Sequence, residues 1–271
     1  MAKLVFLCSQ LSINKTQLGM INDYRNLGSA KALLGRVYVL TVYTGNHPWD
    51  DCKVRLINKH VHEALEWLGQ QVQRYGKTVS FVNGCYGYPN PIDYYIKKGE
   101  GSGNESSDVI WELMKKIGYQ STDSFIKWTK EEARCDSAIV LVFADKKGRS
   151  YALPYTKGVD KEKYFLEGTV LFTEYDEGGE ICPAGIAHEI CHLFGAVDLY
   201  ETYLQTKANA MTAKMFYPND IMHRTSYNIN ELRIDEMTAW FMGLTDVEKG
   251  WYKQFMIGKE LPTQDNTHLH D

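Results

Sequence analysis

The feature that most constrains this chain is the segment 188–198, HEICHLFGAVD, which contains the pattern HExxHxxGxxD. His188 and His192 are four residues apart, so on a helix their imidazoles lie on one face, one turn apart. Two imidazoles at this spacing can bind one metal ion, and Glu189 can reach a water molecule at that ion. The segment therefore predicts a helix that carries two metal ligands and a general base.

The rest of the pattern predicts a third ligand. Gly195 lies three residues after His192, where a helix that ends in a left-handed residue favours glycine. A chain that turns there can bring Asp198 back to the histidines. Three protein ligands and one open position are typical of catalytic zinc, so we expect Zn²⁺ bound by His188, His192 and Asp198. The alternative is that Asp198 is a carboxylate at a helix end and binds no metal.

This motif resembles the signature of the metzincin clan of zinc peptidases, in the variant with aspartate as third ligand that occurs in snapalysin-like and immune-inhibitor-A-like enzymes. The segment 219–223, NDIMH, resembles the methionine-containing turn (Met-turn) of the clan, with Met222 as its methionine. The resemblance implies a zinc-dependent endopeptidase that cleaves a protein or peptide substrate bound in an extended conformation. It also implies an α/β (α+β) zincin fold with a twisted, mostly parallel sheet, an antiparallel edge strand, an active-site helix and a C-terminal helix.

The resemblance also suggests catalytic roles. Glu189 would be the general base that accepts a proton from the attacking water. Some metzincins use a tyrosine after the Met-turn to stabilise the transition state. The matching position here is Arg224, and Tyr227 follows three residues later, so both are candidate helpers.

Apolar patterns predict the order of the elements. Runs rich in β-branched and aromatic residues predict buried strands at 37–44 and 136–144, and further strands are predicted at 78–82 and 169–175. Amphipathic spacing predicts helices at 58–75, 110–117 and 122–134. The first strand, helix and strand predict a right-handed crossover in a parallel sheet.

Three local predictions concern turns and caps. Residues 145–148, DKKG, are expected to form a tight turn, after which 149–155 returns as an antiparallel edge strand. Pro183 is expected to open the helix that carries the motif. Asn230 is expected to cap a later helix with an apolar core stripe formed by Met237, Trp240, Phe241 and Leu244.

The domain organisation is predicted to be one catalytic domain over 36–257 with a helical insertion at about 84–135. Residues 1–35 are interpreted as an N-terminal arm, and a sharper hypothesis is a pro-segment in which Cys8 blocks the zinc. Residues 258–271 form a polar tail. The six cysteines show no CxxC pair or disulfide-framework spacing, which favours reduced thiols.

Composition limits the partners. A hydrophobic fraction of 44% is typical of a folded globular protein, and a net charge of −4 argues against nucleic acid or an anionic membrane as partner. No apolar run approaches the length of a transmembrane helix. The short apolar run after Met1 lacks the features of a secretory signal, which predicts a cytoplasmic protein. Secretion is the alternative, because most relatives with this signature are secreted.

Two other functions are compatible with the sequence. The chain could be a catalytically silent module that binds a peptide through its edge strand and the Tyr-rich loop at 84–104. It could also be a zinc amidase that acts on a non-protein amide. The intact ligand set and the intact Glu189 favour an active endopeptidase.

Overall fold

The structure is a computed structural model that describes residues 28–96, 108–155, 161–202 and 205–259. Five strands form one sheet: β1 (Gly35–Thr44), β2 (Val79–Tyr86), β3 (Ser137–Gly148), β4 (Tyr151–Leu153) and β5 (Glu167–Tyr175). Their order is β2-β1-β3-β5-β4. All neighbours are parallel except β4, which is antiparallel to β5 and lies at the edge. The predicted α/β class and mostly parallel sheet with an antiparallel edge strand are confirmed.

Helices cover both faces of this sheet. They are α1 (Asp51–Gln73), α2 (Val109–Lys116), α3 (Thr122–Glu131), α4 (Lys161–Tyr164), α5 (Pro183–Leu193), α6 (Lys207–Phe216) and α7 (Glu236–Phe241), with 3₁₀ helices at Ile229–Glu231 and Tyr252–Lys259. Successive side chains of β1 point to opposite faces. Val37, Val39 and Tyr43 join the core under α1 and α5, whereas Leu40 and Val42 join the core under α2 and α3. β1 and β3 are therefore buried on both sides over most of their length, as their apolar runs predict, whereas β2 has only partly buried and exposed residues.

The predicted turn at 145–148 is wrong. β3 continues to Gly148, and after a register shift between Ala144 and Lys147 it pairs with Glu174 and Tyr175 of β5. Backbone pairing with β5 therefore overrides the turn propensity of a polar segment. The chain reverses after Gly148, and β4 pairs with β5 instead of forming a hairpin with β3.

The predicted cap of the last helix is also wrong. Asn230 lies within the 3₁₀ helix Ile229–Glu231, and the N-cap of α7 is Asp235. The backbone N–H of Asp235 donates to the Asp220 carboxylate at 2.7 Å, and the Asp235 side chain makes no capping hydrogen bond to α7. The predicted stripe of Met237, Trp240, Phe241 and Leu244 is buried, as expected of core residues.

Part of the predicted N-terminal arm packs on the sheet. Ala30 and Leu33 are fully buried, and the backbone N–H of Ala30 donates to the buried Glu167 carboxylate at 2.6 Å. Cys8 lies outside the described residues, so the blocking hypothesis stays a prediction. The domain boundaries at 36 and 257, and the insertion, also stay predictions.

Two further predictions concern the cysteines, expected to be free thiols, and the absence of a transmembrane helix. Cys52, Cys85, Cys135, Cys182 and Cys191 form no disulfide with one another, in agreement with free thiols. Within the ranges that the structure describes, no helix combines the length and the apolar character needed to cross a membrane.

Candidate metal site

Helix α5 presents the motif at the surface of the core. Pro183 occupies its first turn, as predicted, where a missing N–H leaves no hydrogen bond unmade. The helix packs against α1, and its buried side chains are Pro183, Ala184, Ile186, Ala187, Ile190, Cys191 and Leu193. His188, Glu189 and His192 are only partly buried. The apolar stripe thus holds the helix in place and leaves His188 and Glu189 facing a cavity.

Gly195 ends α5 in the left-handed conformation that the sequence predicts, with φ +100°. The N–H of Gly195 donates to the carbonyl of His192 at 2.9 Å, and the N–H of Ala196 donates to the carbonyl of Cys191 at 3.0 Å. These two bonds form a Schellman motif, which reverses the chain direction. The reversal brings Asp198 back toward the histidines.

Three side-chain atoms converge at this point. Asp198 Oδ1 lies 3.4 Å from His188 Nε2 and 3.2 Å from His192 Nε2. The two imidazole rings are nearly perpendicular, at 89°, with centroids 4.8 Å apart. All three candidate ligand atoms lie within 4.8 Å of one another. The structure therefore brings together the three residues that the sequence predicts as ligands, in an arrangement that could hold one metal ion.

The hydrogen bonds around the rings fix which nitrogen faces this point. Nδ1 of His188 lies 3.0 Å from the carbonyl oxygen of Ile221, and Nδ1 of His192 lies 3.0 Å from that of Ala196. A carbonyl oxygen can only accept, so each Nδ1 carries the proton and each Nε2 of a neutral ring presents a lone pair. Asp198 Oδ1 is buried and accepts no hydrogen bond from any residue that the structure describes. A cation at the shared point would satisfy this orphaned oxygen and both nitrogens, so the donor set fits a metal ion.

The turn at 219–223 supports the site through backbone carbonyl groups. Ile221 provides the carbonyl that orients His188, and the Met222 carbonyl accepts the N–H of Leu199 at 2.8 Å. Met222 is fully buried in the core that also contains α5. The Asp220 carboxylate accepts the N–H of Met222 at 2.8 Å. This turn therefore holds one histidine and the segment after Asp198 in a fixed relation.

Electrostatics in the cluster favour a bound positive charge. Burial would lower the pKa of His188, but the Asp198 and Glu189 carboxylates outweigh it and raise the pKa to about 9. Burial would raise the pKa of Asp198, but the two imidazoles hold it well below its usual range. Burial raises the pKa of Glu189. Without a metal ion the cluster therefore retains a proton between its carboxylates and imidazoles.

A cavity of about 580 Å³ opens beside the cluster; we call it the metal-side cavity. His188 and Glu189 line it together with Tyr200 and Arg149. The Tyr200 ring stacks on the His188 ring with centroids 6.4 Å apart and 29° between planes, and its hydroxyl hydrogen-bonds the Asp198 carboxylate. Sequence reasoning missed Tyr200 and Arg149. Only the position of Tyr200, two residues after a predicted ligand, could have indicated a role.

The two predicted helper residues also line this cavity. The guanidinium of Arg224 already forms two hydrogen bonds, to the Asn219 side chain at 3.0 Å and to the Glu231 carboxylate at 3.1 Å. Tyr227 is 66% exposed and lies at the edge of the cavity. Their catalytic roles therefore stay predictions, and Tyr200 lies closer to the candidate ligands in the hydrogen-bond network.

Comparison with known proteins adds little to this geometry. No known protein family and no curated protein matches the sequence. The solved structures to which the chain is similar include the crystal structure of metalloproteinase-II from Bacteroides fragilis, with a TM-score of 0.37 and 12% identity. The match covers 84% of this chain, which spans 59% of that chain's length. A TM-score of this size establishes neither a shared fold nor a shared activity.

Proposed function

We propose that the protein is a zinc-dependent endopeptidase of the metzincin clan. The observation that carries the proposal is the buried Asp198 Oδ1, which has no hydrogen-bond donor in the described part of the chain and faces Nε2 of both histidines. The protons of the two rings are committed to the carbonyls of Ile221 and Ala196. Three acceptors turned toward one point are unfavourable unless a metal ion or a retained proton lies between them, and a set of two imidazoles and one carboxylate fits a metal ion.

The spacing of the three atoms supports zinc as that cation. Ligand atoms at about 2.0–2.1 Å from zinc in a tetrahedral arrangement lie about 3.3 Å apart. The distances from Asp198 Oδ1 to the two Nε2 atoms are 3.4 and 3.2 Å. Two imidazole nitrogens and one carboxylate oxygen, with one side open to a cavity, are also a donor set typical of catalytic zinc. In this proposal the buried Met222 belongs to a Met-turn.

The chain's own residues would divide the catalytic work as follows. Zinc supplies a Lewis acid that makes a water molecule more acidic and polarises a carbonyl group. Glu189 lines the same cavity as His188, accepts the proton of the attacking water and delivers it to the nitrogen of the leaving amine. In the metal-free site, burial raises the pKa of the Glu189 carboxyl.

The sheet edge offers a binding mode for an extended substrate. β4 is the last strand of the sheet, so one of its two edges has no partner strand among the described residues. Arg149 and Ser150, which precede β4, line the metal-side cavity. A peptide that added to β4 as a further strand would form main-chain hydrogen bonds and would reach the candidate metal site.

The test compares the wild type with Glu189→Gln. Both proteins should contain about one zinc per chain, because Glu189 is a base and not a ligand. The zinc-loaded wild type should cleave members of a peptide library, and the variant should be slower by a factor of about 10² or more. Loss of zinc in the variant, or normal cleavage by it, would contradict the assigned role. A zinc-loaded wild type that binds peptides without cleaving them would instead support the binding-module alternative.

A further inference from the structure

A second cavity of about 700 Å³ lies next to the metal-side cavity; we call it the acidic cavity. Cys182 and Tyr227 line both cavities and therefore form their common wall. The remaining lining of the acidic cavity comes from α1, from the segment that precedes α5 and from the 3₁₀ helix Ile229–Glu231. It is thus an extension of the same cleft, on the far side of one tyrosine.

Tyr227 forms this wall by reaching across the cleft. It lies in the segment after the Met222 turn, yet its hydroxyl packs against Gly179 in the loop between β5 and α5. A Cβ atom at Gly179 would overlap that hydroxyl, and the φ of +94° at Gly179 also favours glycine. The absence of a side chain at Gly179 therefore leaves the space in which the phenol ring separates the two cavities.

The acidic cavity combines an apolar floor with a negatively charged rim. Trp67 and Ile181 are 3% and 4% exposed, and Pro183 is buried beside them. The rim carries three carboxylates, those of Glu63, Glu66 and Glu180, and His60 also lines the cavity. Among the residues that the structure describes, no lysine or arginine lines it. An apolar floor suits a methylene stem and a carboxylate rim suits a cationic head, a combination that matches lysine or arginine.

The ion pairs already present at the rim are weak competitors for such a head. Glu63 lies 3.6 Å from Lys59 and Glu66 lies 3.3 Å from His62, each pair within α1 and at least 39% exposed. Exposed pairs of this kind contribute little, because water screens them and the side chains lose freedom. A substrate cation held over the apolar floor would be less solvated than Lys59 and would attract the carboxylates more strongly.

We propose that the acidic cavity binds a lysine or arginine side chain of the peptide substrate, with Tyr227 as the wall that separates this side chain from the one in the metal-side cavity. This inference rests on the proposed function and specifies its substrate class. It gives Tyr227 a role in specificity that depends on its ring.

The first experiment measures selectivity in the zinc-loaded protein. A peptide library should show a preference for lysine or arginine at one position near the cleaved bond. In Glu63→Gln/Glu66→Gln/Glu180→Gln, the ratio of kcat/KM for the lysine peptide to kcat/KM for its norleucine counterpart should fall about tenfold or more. The control Asp123→Asn/Glu131→Gln/Glu132→Gln removes the same charge from exposed residues at α3 and should keep the wild-type ratio. An equal fall in both triple variants, or a library profile without basic preference, would overturn the proposal.

The second experiment separates this proposal from the peptidase activity. The zinc-loaded Glu189→Gln protein is titrated with fluorescently labelled forms of the lysine peptide and the norleucine peptide. The titration measures the affinity for each peptide and requires no cleavage. Tighter binding of the lysine peptide, lost when the three rim glutamates are also changed, supports the cavity assignment even if the wild type cleaves nothing. Equal affinities for the two peptides would overturn the assignment even if the wild type is an efficient peptidase.

The wall itself is tested by Tyr227→Ala. Removal of the ring joins the two cavities, so selectivity between a short and a long side chain at the basic position should decrease several-fold. Tyr227→Phe keeps the ring and should keep the selectivity ratio. A ratio that changes equally in both variants would show that the hydroxyl, and not the wall, sets the preference.

Discussion

His188 donates from Nδ1 to the backbone carbonyl oxygen of Ile221, 3.0 Å away and 33 residues later in the chain. This bond ties the first candidate ligand to the turn that contains Met222. Because the same turn accepts the N–H of Leu199 through the Met222 carbonyl, one backbone segment orients both a helix residue and the segment that follows Asp198. A displacement of the turn would therefore move two parts of the site together.

Substitutions at Asp198 should separate a ligand from a helix-end carboxylate. Asp198→Ala should weaken zinc binding by about a hundredfold or more and abolish hydrolysis. Asp198→Asn keeps the shape without the charge and should bind zinc with intermediate affinity. Asp198→His should retain zinc with reduced turnover, since the longer ring displaces the metal relative to Glu189. Titration against a competing chelator measures the affinities, and an unchanged affinity in Asp198→Ala would contradict the third-ligand assignment.

Tyr200→Phe should weaken zinc binding by about tenfold while the fold remains intact. The substitution keeps the ring that stacks on His188 but removes the hydroxyl that hydrogen-bonds the Asp198 carboxylate. Tyr175→Phe is the matched control, because its hydroxyl lines the same cavity but contacts Cys182. If both variants bind zinc like the wild type, the Tyr200 hydroxyl does not orient the ligand.

Gly195→Ala should reduce both stability and zinc affinity. A Cβ in the left-handed region costs about 1–2 kcal/mol, and relief of this strain would shift the Ala196 carbonyl that orients His192. Gly118→Ala provides the control, since Gly118 has the same φ of +100° after α2 and has open space for a Cβ. Urea unfolding should show similar losses in both variants, and only Gly195→Ala should lose zinc affinity. Equal zinc affinities would contradict a role for this turn in placing the ligands.

The sequence predicted those parts of the fold that depend on local pattern. Apolar runs identified β1, β3 and β5, and the glycine after His192 indicated where α5 ends. One error arose where a long-range partner overrides local preference. Residues 145–148 have turn chemistry, but β5 extends far enough to pair with them. The cap of α7 was assigned to Asn230 because the pattern did not show that residues 229–231 form a separate 3₁₀ helix; the observed N-cap is Asp235, also a favoured capping residue.

The same distinction applies to the candidate site. The spacing of the motif placed His188, Glu189 and His192 on one helix, and the turn after Gly195 explains why Asp198 is near them. Nothing in a pattern of spacings shows that Ile221 and Ala196 supply carbonyls to the two rings, since backbone atoms carry no sequence signal. Tyr200 and Asp220 were missed because their importance depends on burial and on hydrogen bonds formed across the fold.

Asp220 should make the stability of the protein depend on pH. Its carboxylate is fully buried and accepts hydrogen bonds from Met222, Asp235 and Thr238 at 2.7–2.9 Å. Burial raises its pKa to about 7, although the backbone N–H groups oppose the shift. A carboxyl whose pKa is raised by folding binds its proton more tightly in the folded state. Between its ordinary pKa of 3.8 and about 7, the unfolded chain releases this proton first.

The free energy of unfolding should therefore fall as pH rises from about 4 to about 7, by at most about 1.4 kcal/mol per pH unit from this group. Asp220→Asn cannot titrate, so the stability of the wild type relative to this variant should fall across the same window. Thr238→Val removes one hydrogen bond but keeps the carboxylate and should retain the wild-type slope. Urea unfolding with a chelator present measures all three proteins without competition between protons and metal at the histidines. A wild-type curve parallel to that of Asp220→Asn would show that the buried Asp220 keeps an ordinary pKa, and that its three hydrogen bonds outweigh the loss of hydration.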